Sequence, residues 1–277
     1  LRLELLDELR RAVGFDAYAW VLTDPETTVG AAPLADVPCL PALPRLIRLK
    51  YLTAVNRWTS VRDVAALSEP SRSLLWRELL RGYGIADVAS VVFRDRYGCW
   101  AFLDLWRTRV FEPAELAILR DLIGPVTAAL RPPQTHEYLR ALVPPSAGGA
   151  PVPAGAYNVA AQLLAVEAGV DEHPPTTRVH LGDGRWLTLR AARIGADIAV
   201  TMEESSPGER ISLFAMAFGL SARETELVER LSGGLDTRAA AARMFVSENT
   251  VQDHLKSIFA KTSTRNRRAL LSRALGT

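Results

Sequence analysis

Apolar residues recur at helical spacing near both ends of this chain and alternate in strand fashion between them. Residues 1–14 set Leu1, Leu5, Leu6 and Leu9 along one side of a helix. The run GFDAYAWVLTD (14–24) changes to a strand pattern and closes at Asp24-Pro25. Residues 30–44 hold four prolines and read as a loop, and helices are predicted at 44–58 and 70–81. VASVVFR (88–94) and GCWAFLDLWR (98–107), joined by Asp95-Arg96-Tyr97, predict a β-hairpin. FEPAELAILRDLIGPVTAALR (111–131) predicts a helix with Pro113 near its start and Leu116, Leu119 and Ile123 at helical spacing. The order helix, strand, helices, antiparallel strands, helix predicts an α+β domain over residues 1–131.

Six prolines between 131 and 155 mark residues 132–153 as a linker, and RPPQTHEYL enters it abruptly, as it would if residues near 131–134 were missing. Residues 154–204 predict a short helix, AYNVAAQLLAVEAG, then three strands joined at Gly182-Asp183-Gly184 and Gly195-Ala196-Asp197. A meander with one helix is small for a free-standing domain. Residues 205–219 predict a connecting helix, capped by Ser206 with Pro207 at its first position. Its stripe is Ile211, Phe214, Ala215 and Phe218, and it is expected to transmit between the N-terminal part and the C-terminal domain.

Four short helices over 220–277 are placed by their caps. Ser221 with Glu224 three residues on makes a capping box, and Gly233-Gly234 ends that helix. Asp236 or Thr237 caps TRAAAARMF, whose four alanines, 239–242, allow close approach by another helix. Ser247 caps the third, and the fourth ends at Gly276. On the third, Val251, Leu255, Ile258, Phe259 and Thr262 share one face. Asn249, Asp253, Lys256, Ser257 and Ala260 lie opposite, flanked by Gln252 and Lys261. Two helices joined by a tight turn, the second polar outside, predict a helix-turn-helix within an all-α four-helix domain.

Composition sharpens this reading. The 277 residues are 48% hydrophobic and 23% charged, so disorder throughout is not expected. Net charge is only +2, yet the last 42 residues carry eight Lys and Arg against three Asp and Glu. Positive charge gathered at the C-terminus points to nucleic acid. There is no run of 18 apolar residues, so no membrane span is expected. Cys39 and Cys99 offer neither a disulfide framework nor metal-ligand spacing and suit small core residues in a reducing cytoplasm. The chain opens on Leu1 rather than Met, so a natural start ahead of it is expected.

The segment LSARETELVERLSGGLDTRAAAARMFVSENTVQDHLKSIFAKTSTRNRRALLSRAL resembles the LuxR-type (FixJ-type) DNA-binding domain along its whole length. The resemblance rests on the Leu-Ser-x-x-Glu opening, Gly-Leu before the scaffold helix, Ala-Ala-Arg, Ser-x-x-Thr-Val and the terminal Asn-Arg. It implies a transcription regulator with double-stranded DNA and RNA polymerase as partners. By position it implies base contacts from Gln252, Asp253 and Lys256, with Asn249 beside them on the same face. Gln252 suits adenine and Asp253 a cytosine amine. Thr250, Ser257, Lys261, Arg265 and Arg267 are the phosphate candidates. Family members dimerise through the last helix, which implies a homodimer through Leu270, Leu271, Ala274 and Leu275 on an inverted repeat. Ala239, Ala240 and Asp253 depart from the family pattern, the last by placing an acid where a neutral or basic residue is usual.

Residues 1–131 resemble a GAF-type sensory domain and 154–204 a truncated PAS-type module. Five of the six tryptophans fall in the first. On the 98–107 strand Trp100, Phe102, Asp104 and Trp106 alternate to one face, and with Trp20 they are candidates to line a small-molecule pocket. The alternative is a packed aromatic core serving only as a dimerisation platform. The four histidines, 136, 173, 180 and 254, are scattered; no metal, cofactor or enzymatic chemistry is expected. A sigma-factor-like promoter-binding subunit is the competing function, but it requires a helical polymerase-binding domain where strands are predicted.

Overall fold

The computed structural model describes residues 2–131, 153–180 and 186–276. The chain is α+β and divides into two compact units, one built from residues 1–130, 139–179 and 188–202, the other from 131–138, 180–187 and 203–277. Among the described residues no helix is long and apolar enough to cross a membrane.

The first unit is built on a five-stranded antiparallel sheet in the order β2-β1-β5-β4-β3, with β1 Ala17–Thr23, β2 Gly30–Asp36, β3 Val64–Ala65, β4 Asp87–Asp95 and β5 Gly98–Arg107. The predicted hairpin is β4–β5, closed by Arg96 and Tyr97 between the paired Asp95 and Gly98. Helices α1 (Arg2–Ala12), α2 (Leu43–Leu52), α3 (Leu74–Glu78), α4 (Pro113–Asp121) and α5 (Ile123–Leu130) complete the N-terminal part.

Four predicted elements change. The helix predicted over 44–58 ends at Leu52, where Thr53 turns extended. The proline-rich stretch read as a loop contains β2, which lies at the sheet's edge, where Pro33 costs no central ladder bond. The helix predicted over 111–131 is two helices, because the Pro125 ring has no N–H for the Asp121 carbonyl and crowds it. The helix predicted over 70–81 is a 3-10 turn (Pro70–Arg72), α3, and a second 3-10 turn (Leu80–Tyr83).

Helix α6 (Ala154–Glu167), assigned from sequence to a separate PAS-like module, packs against α2 and β2 within the first unit. Buried polar ties hold it and the following segment there. Asn158 Nδ2 donates to the Gly30 carbonyl at 2.9 Å, and a Cβ at residue 30 would stand 2.8 Å from that same nitrogen. Arg57 pairs with Asp171 at 2.7 Å and donates to Gln162 at 2.8 Å; Arg178 pairs with Asp24 at 2.6 Å. Burial pushes the Asp171 carboxyl up. The His173 backbone N–H, the His173 ring and the Arg57 guanidinium outweigh it and hold that carboxyl well below the usual range. A second sheet, in the order β6-β7-β8, comprises Thr176–His180, Trp186–Ile194 and Asp197–Glu204. Gly195, at φ 61°, turns β7 into β8, as the sequence predicts. The Gly182-Asp183-Gly184 turn and residues 132–152 of the proposed linker, including 132–134, lie outside the described residues.

The second unit is helical over α7 (Pro207–Phe218), α8 (Ala222–Ser232), α9 (Thr237–Met244), α10 (Glu248–Thr262) and α11 (Arg267–Leu275). The connecting helix of the sequence reading is α7. Its Ile211, Phe214 and Ala215 are buried in one core with Leu227, Val228, Leu231, Met244, Val251, Ile258 and Leu270. Capping boxes at Ser206–Glu209 and Ser221–Glu224, and side-chain caps at Asp236, Ser247 and Asn266, satisfy the orphan amides that begin these helices.

Candidate nucleic-acid interface

Helix α9, a tight turn through Phe245 and Val246, and α10 form the predicted pair. The turn is fixed by Phe245 and Val246 N–H groups, which donate to the Ala242 and Ala241 carbonyls. Of the four alanines, Ala240 and Ala241 are buried and admit α10 closely; Ala239 and Ala242 face solvent. The inner face of α10 is Val251, Leu255, Ile258 and Thr262, with Phe259 half-buried beside it. Asn249, Gln252, Asp253, Lys256 and Ala260 are exposed on the outside, so the residues predicted to read bases share one open surface. That surface carries its own ion pair: Lys256 Nζ donates to Asp253 at 3.0 Å, with both side chains largely in solvent.

The predicted phosphate ligands divide. Thr250 lies beside the Ser247 cap, their hydroxyls 2.9 Å apart, and Arg265 is exposed. Ser257 and Lys261 instead close on Glu224 of α8, donating to its two carboxylate oxygens at 2.6 Å each. Glu224 is buried, and burial raises its carboxyl; the Lys261 ammonium, the Ser221 backbone N–H and the Ser257 hydroxyl outweigh that and bring it down to about 2. Arg267 donates to the Leu231 carbonyl at 3.2 Å and the Leu235 carbonyl at 2.5 Å, closing the C-terminal end of α8. Ser257, Lys261 and Arg267 thus hold the domain together. Sequence spacing gave no sign of this, because each partner lies more than thirty positions away. The dimer candidates divide too: Leu270 and Ala274 belong to the domain's own core, and Leu271 and Leu275 are half-buried at its margin.

In the first unit, Phe102, Asp104 and Trp106 of β5 line a mostly apolar cavity of about 50 Å³. Its walls include Val21, Pro33, Leu46, Tyr51 and Asn158. Trp20 does not belong to it. Trp20 pairs across the strands with Leu103, one residue out of phase with Phe102, and stacks on Phe93 at 5.5 Å on the other face of the sheet. Trp100 shares the parity of Phe102 but donates its indole N–H to Asp95 at 3.0 Å, within the hairpin, and does not line the cavity. The sequence reading missed Lys50, which reaches Asp104 at 2.6 Å, and Tyr51, whose hydroxyl accepts from the Gly30 N–H at 2.9 Å. A cation among α2 leucines, at helical spacing from the core positions, was the available signal for Lys50. Trp106 Nε1–H is buried and has no hydrogen-bond partner among the described residues. These residues also hold no cluster of His, Cys, Asp and Glu suited to a metal ion.

A close-packed scaffold helix, a tight turn and a serine-capped second helix with its polar face open define a helix-turn-helix domain of the DNA-binding kind. Residues 219–274 match the family model for bacterial regulatory proteins, luxR family; the C-terminal domain is LuxR-type. The "Probable HTH-type transcriptional regulator GfsR" of Streptomyces halstedii is 38% identical over 60 residues, covering 22% of this chain and 25% of that protein. The match thus spans about a quarter of the length of that curated relative. A solved structure of SdiA in complex with octanoyl-rac-glycerol covers 100% of this chain and 88% of its own, at 15% identity and a TM-score of 0.38. Escherichia coli SdiA covers 100% and 89%, at 14% identity and a TM-score of 0.35.

Proposed function

We propose that this protein is a sequence-specific transcription regulator that binds double-stranded DNA as a homodimer on an inverted repeat and acts on RNA polymerase. The observation that carries this reading is the open face of α10, where Asn249, Gln252 and Lys256 stand together on a helix otherwise packed into its domain. Within this reading residues 220–277 read DNA, with Gln252 and Lys256 at base edges and Thr250 and Arg265 at phosphates. The dimer forms through the half-buried Leu271 and Leu275 of α11. The test is selection of duplexes from a random pool by the full chain, followed by titration in rising salt. A dyad-symmetric site, lost on Lys256→Ala, with log affinity falling linearly in log salt, is expected. A flat salt response, or unchanged binding by that variant, overturns it.

Residues 1–131 serve this regulator as a GAF-like sensor of a small molecule. The cavity beside β5 supports a sensor over a bare dimerisation platform: its wall is mostly apolar, includes the Trp106 ring, and carries a few polar groups at Lys50, Tyr51, Asp104 and Asn158. A mostly apolar molecule bearing one polar group fits that lining. Thermal-shift screening of such compounds should find one that stabilises the wild type and loses most of its effect on Trp106→Phe, which keeps an aromatic side chain but trims the cavity wall by one ring. Equal shifts in both proteins, or none from any compound, leave the platform reading in its place.

A further inference from the structure

Phe245, in the turn between α9 and α10, is 93% exposed and has φ 57°, ψ 43°. This left-handed conformation suits glycine and is an outlier for a bulky residue. The neighbouring helices show the cheaper solution, since α7 and α11 end in the same conformation at Gly219 and Gly276. Among the described residues only Thr28, Asn56 and Ser263 join Phe245 as non-glycines with positive φ, and all three are small or polar. Asn56, for one, is repaid by donating to the Ala65 and Val88 carbonyls at 3.2 Å. The Phe245 backbone closes α9, as glycine would, but its side chain gains nothing from its own domain: the ring faces solvent while Val246, next to it, packs inward. A strained backbone carrying an exposed aromatic points to a contact outside the chain.

The position names the partner. Phe245 lies two residues before Ser247, the N-cap of α10, and the N-terminal end of a recognition helix is the end that meets base edges. We propose that Phe245 is an apolar DNA contact, laying its ring against deoxyribose or a thymine methyl at the margin of the groove while the polar face of α10 reads the bases. The assignment rests on the DNA-binding reading above.

The experiment uses the full chain and the duplex that the wild type itself selects. Phe245→Gly should leave the melting temperature unchanged or raised, weaken binding about tenfold or more, and leave the salt slope unaltered, because no phosphate contact is lost and the counterions released are the same in number. Phe245→Leu should recover part of the affinity. Replacing thymine by deoxyuridine in the duplex separates the two apolar sources: a loss for wild type alone assigns the methyl, and equal binding assigns the sugar. Undiminished binding by Phe245→Gly overturns the inference, as does a loss of transcription with DNA binding intact, which would make Phe245 a protein contact. A wild type that selects no duplex removes the DNA reading itself, and this inference with it.

Discussion

Asp253 stands at the middle of the exposed face of α10, and its carboxylate holds the Lys256 ammonium at 3.0 Å. Such a solvent pair adds little to folding; on the proposed DNA-binding reading its weight falls on binding. The acid cancels one of the few positive charges that the face presents. Asp253→Ala should therefore tighten binding to unrelated duplex severalfold, steepen the salt dependence, and narrow the gap between selected and unrelated sites; fluorescence anisotropy at two salt concentrations measures all three, and weaker non-specific binding would contradict the role. Glu224 is the opposite case, a buried carboxylate held by Lys261, Ser257 and the Ser221 N–H. Its carboxyl sits at about 2 in the folded domain against an ordinary 4.5, so the unfolded chain binds its proton first as pH falls. The stabilisation, on the order of 3 kcal/mol, is complete above about pH 5 and lost progressively as pH drops toward 2. Denaturant melts of wild type and Glu224→Gln should differ by that order at neutral pH and converge in acid. A constant gap would remove Glu224 from this part.

Among the elements, α9 depends on the smallest side chains in the domain. Ala240 and Ala241 are buried against their neighbours, while Ala239 is exposed on the same helix. Ala241→Leu should overpack the core and cost about 1–3 kcal/mol, whereas Ala239→Leu should be nearly neutral; urea midpoints distinguish them, and equal midpoints would mean that α10 does not pack this closely. The C-terminal helices were legible from sequence because their boundaries are local, each set by a cap within three residues of the amide it serves. Strand β2 was not, since its Pro33 reads as a breaker until its edge position is known. Nor was the break after α4, where strong apolar spacing hid the effect of Pro125. Side-chain parity within β5 grouped Trp100, Phe102, Asp104 and Trp106, of which the last three line the cavity, but parity on one strand says nothing of the phase of another, and so Trp20 was placed on the wrong face. The captures of Ser257, Lys261 and Arg267 needed partners far along the chain, and composition cannot supply those.

For the whole molecule, two compact units with separate cores predict more than one unfolding event. Calorimetry should resolve two transitions, and Glu224→Gln should lower only one of them. A single transition that shifts intact in the variant would mean that the units melt as one. The buried pairs Arg57–Asp171 and Arg178–Asp24 tie residues 154–179 into the first unit, so cutting the chain before residue 154 should cost that unit its stability and not merely remove an appendage. The Lys256–Asp253 pair has a further consequence, for time rather than for strength. A regulator must leave wrong sites quickly in order to sample many, and every uncompensated cation lengthens its stay on each of them. On the proposed reading, in which Lys256 meets a base edge, Asp253 holds that ammonium back until the edge competes for it, and so shortens those stays and hastens the search.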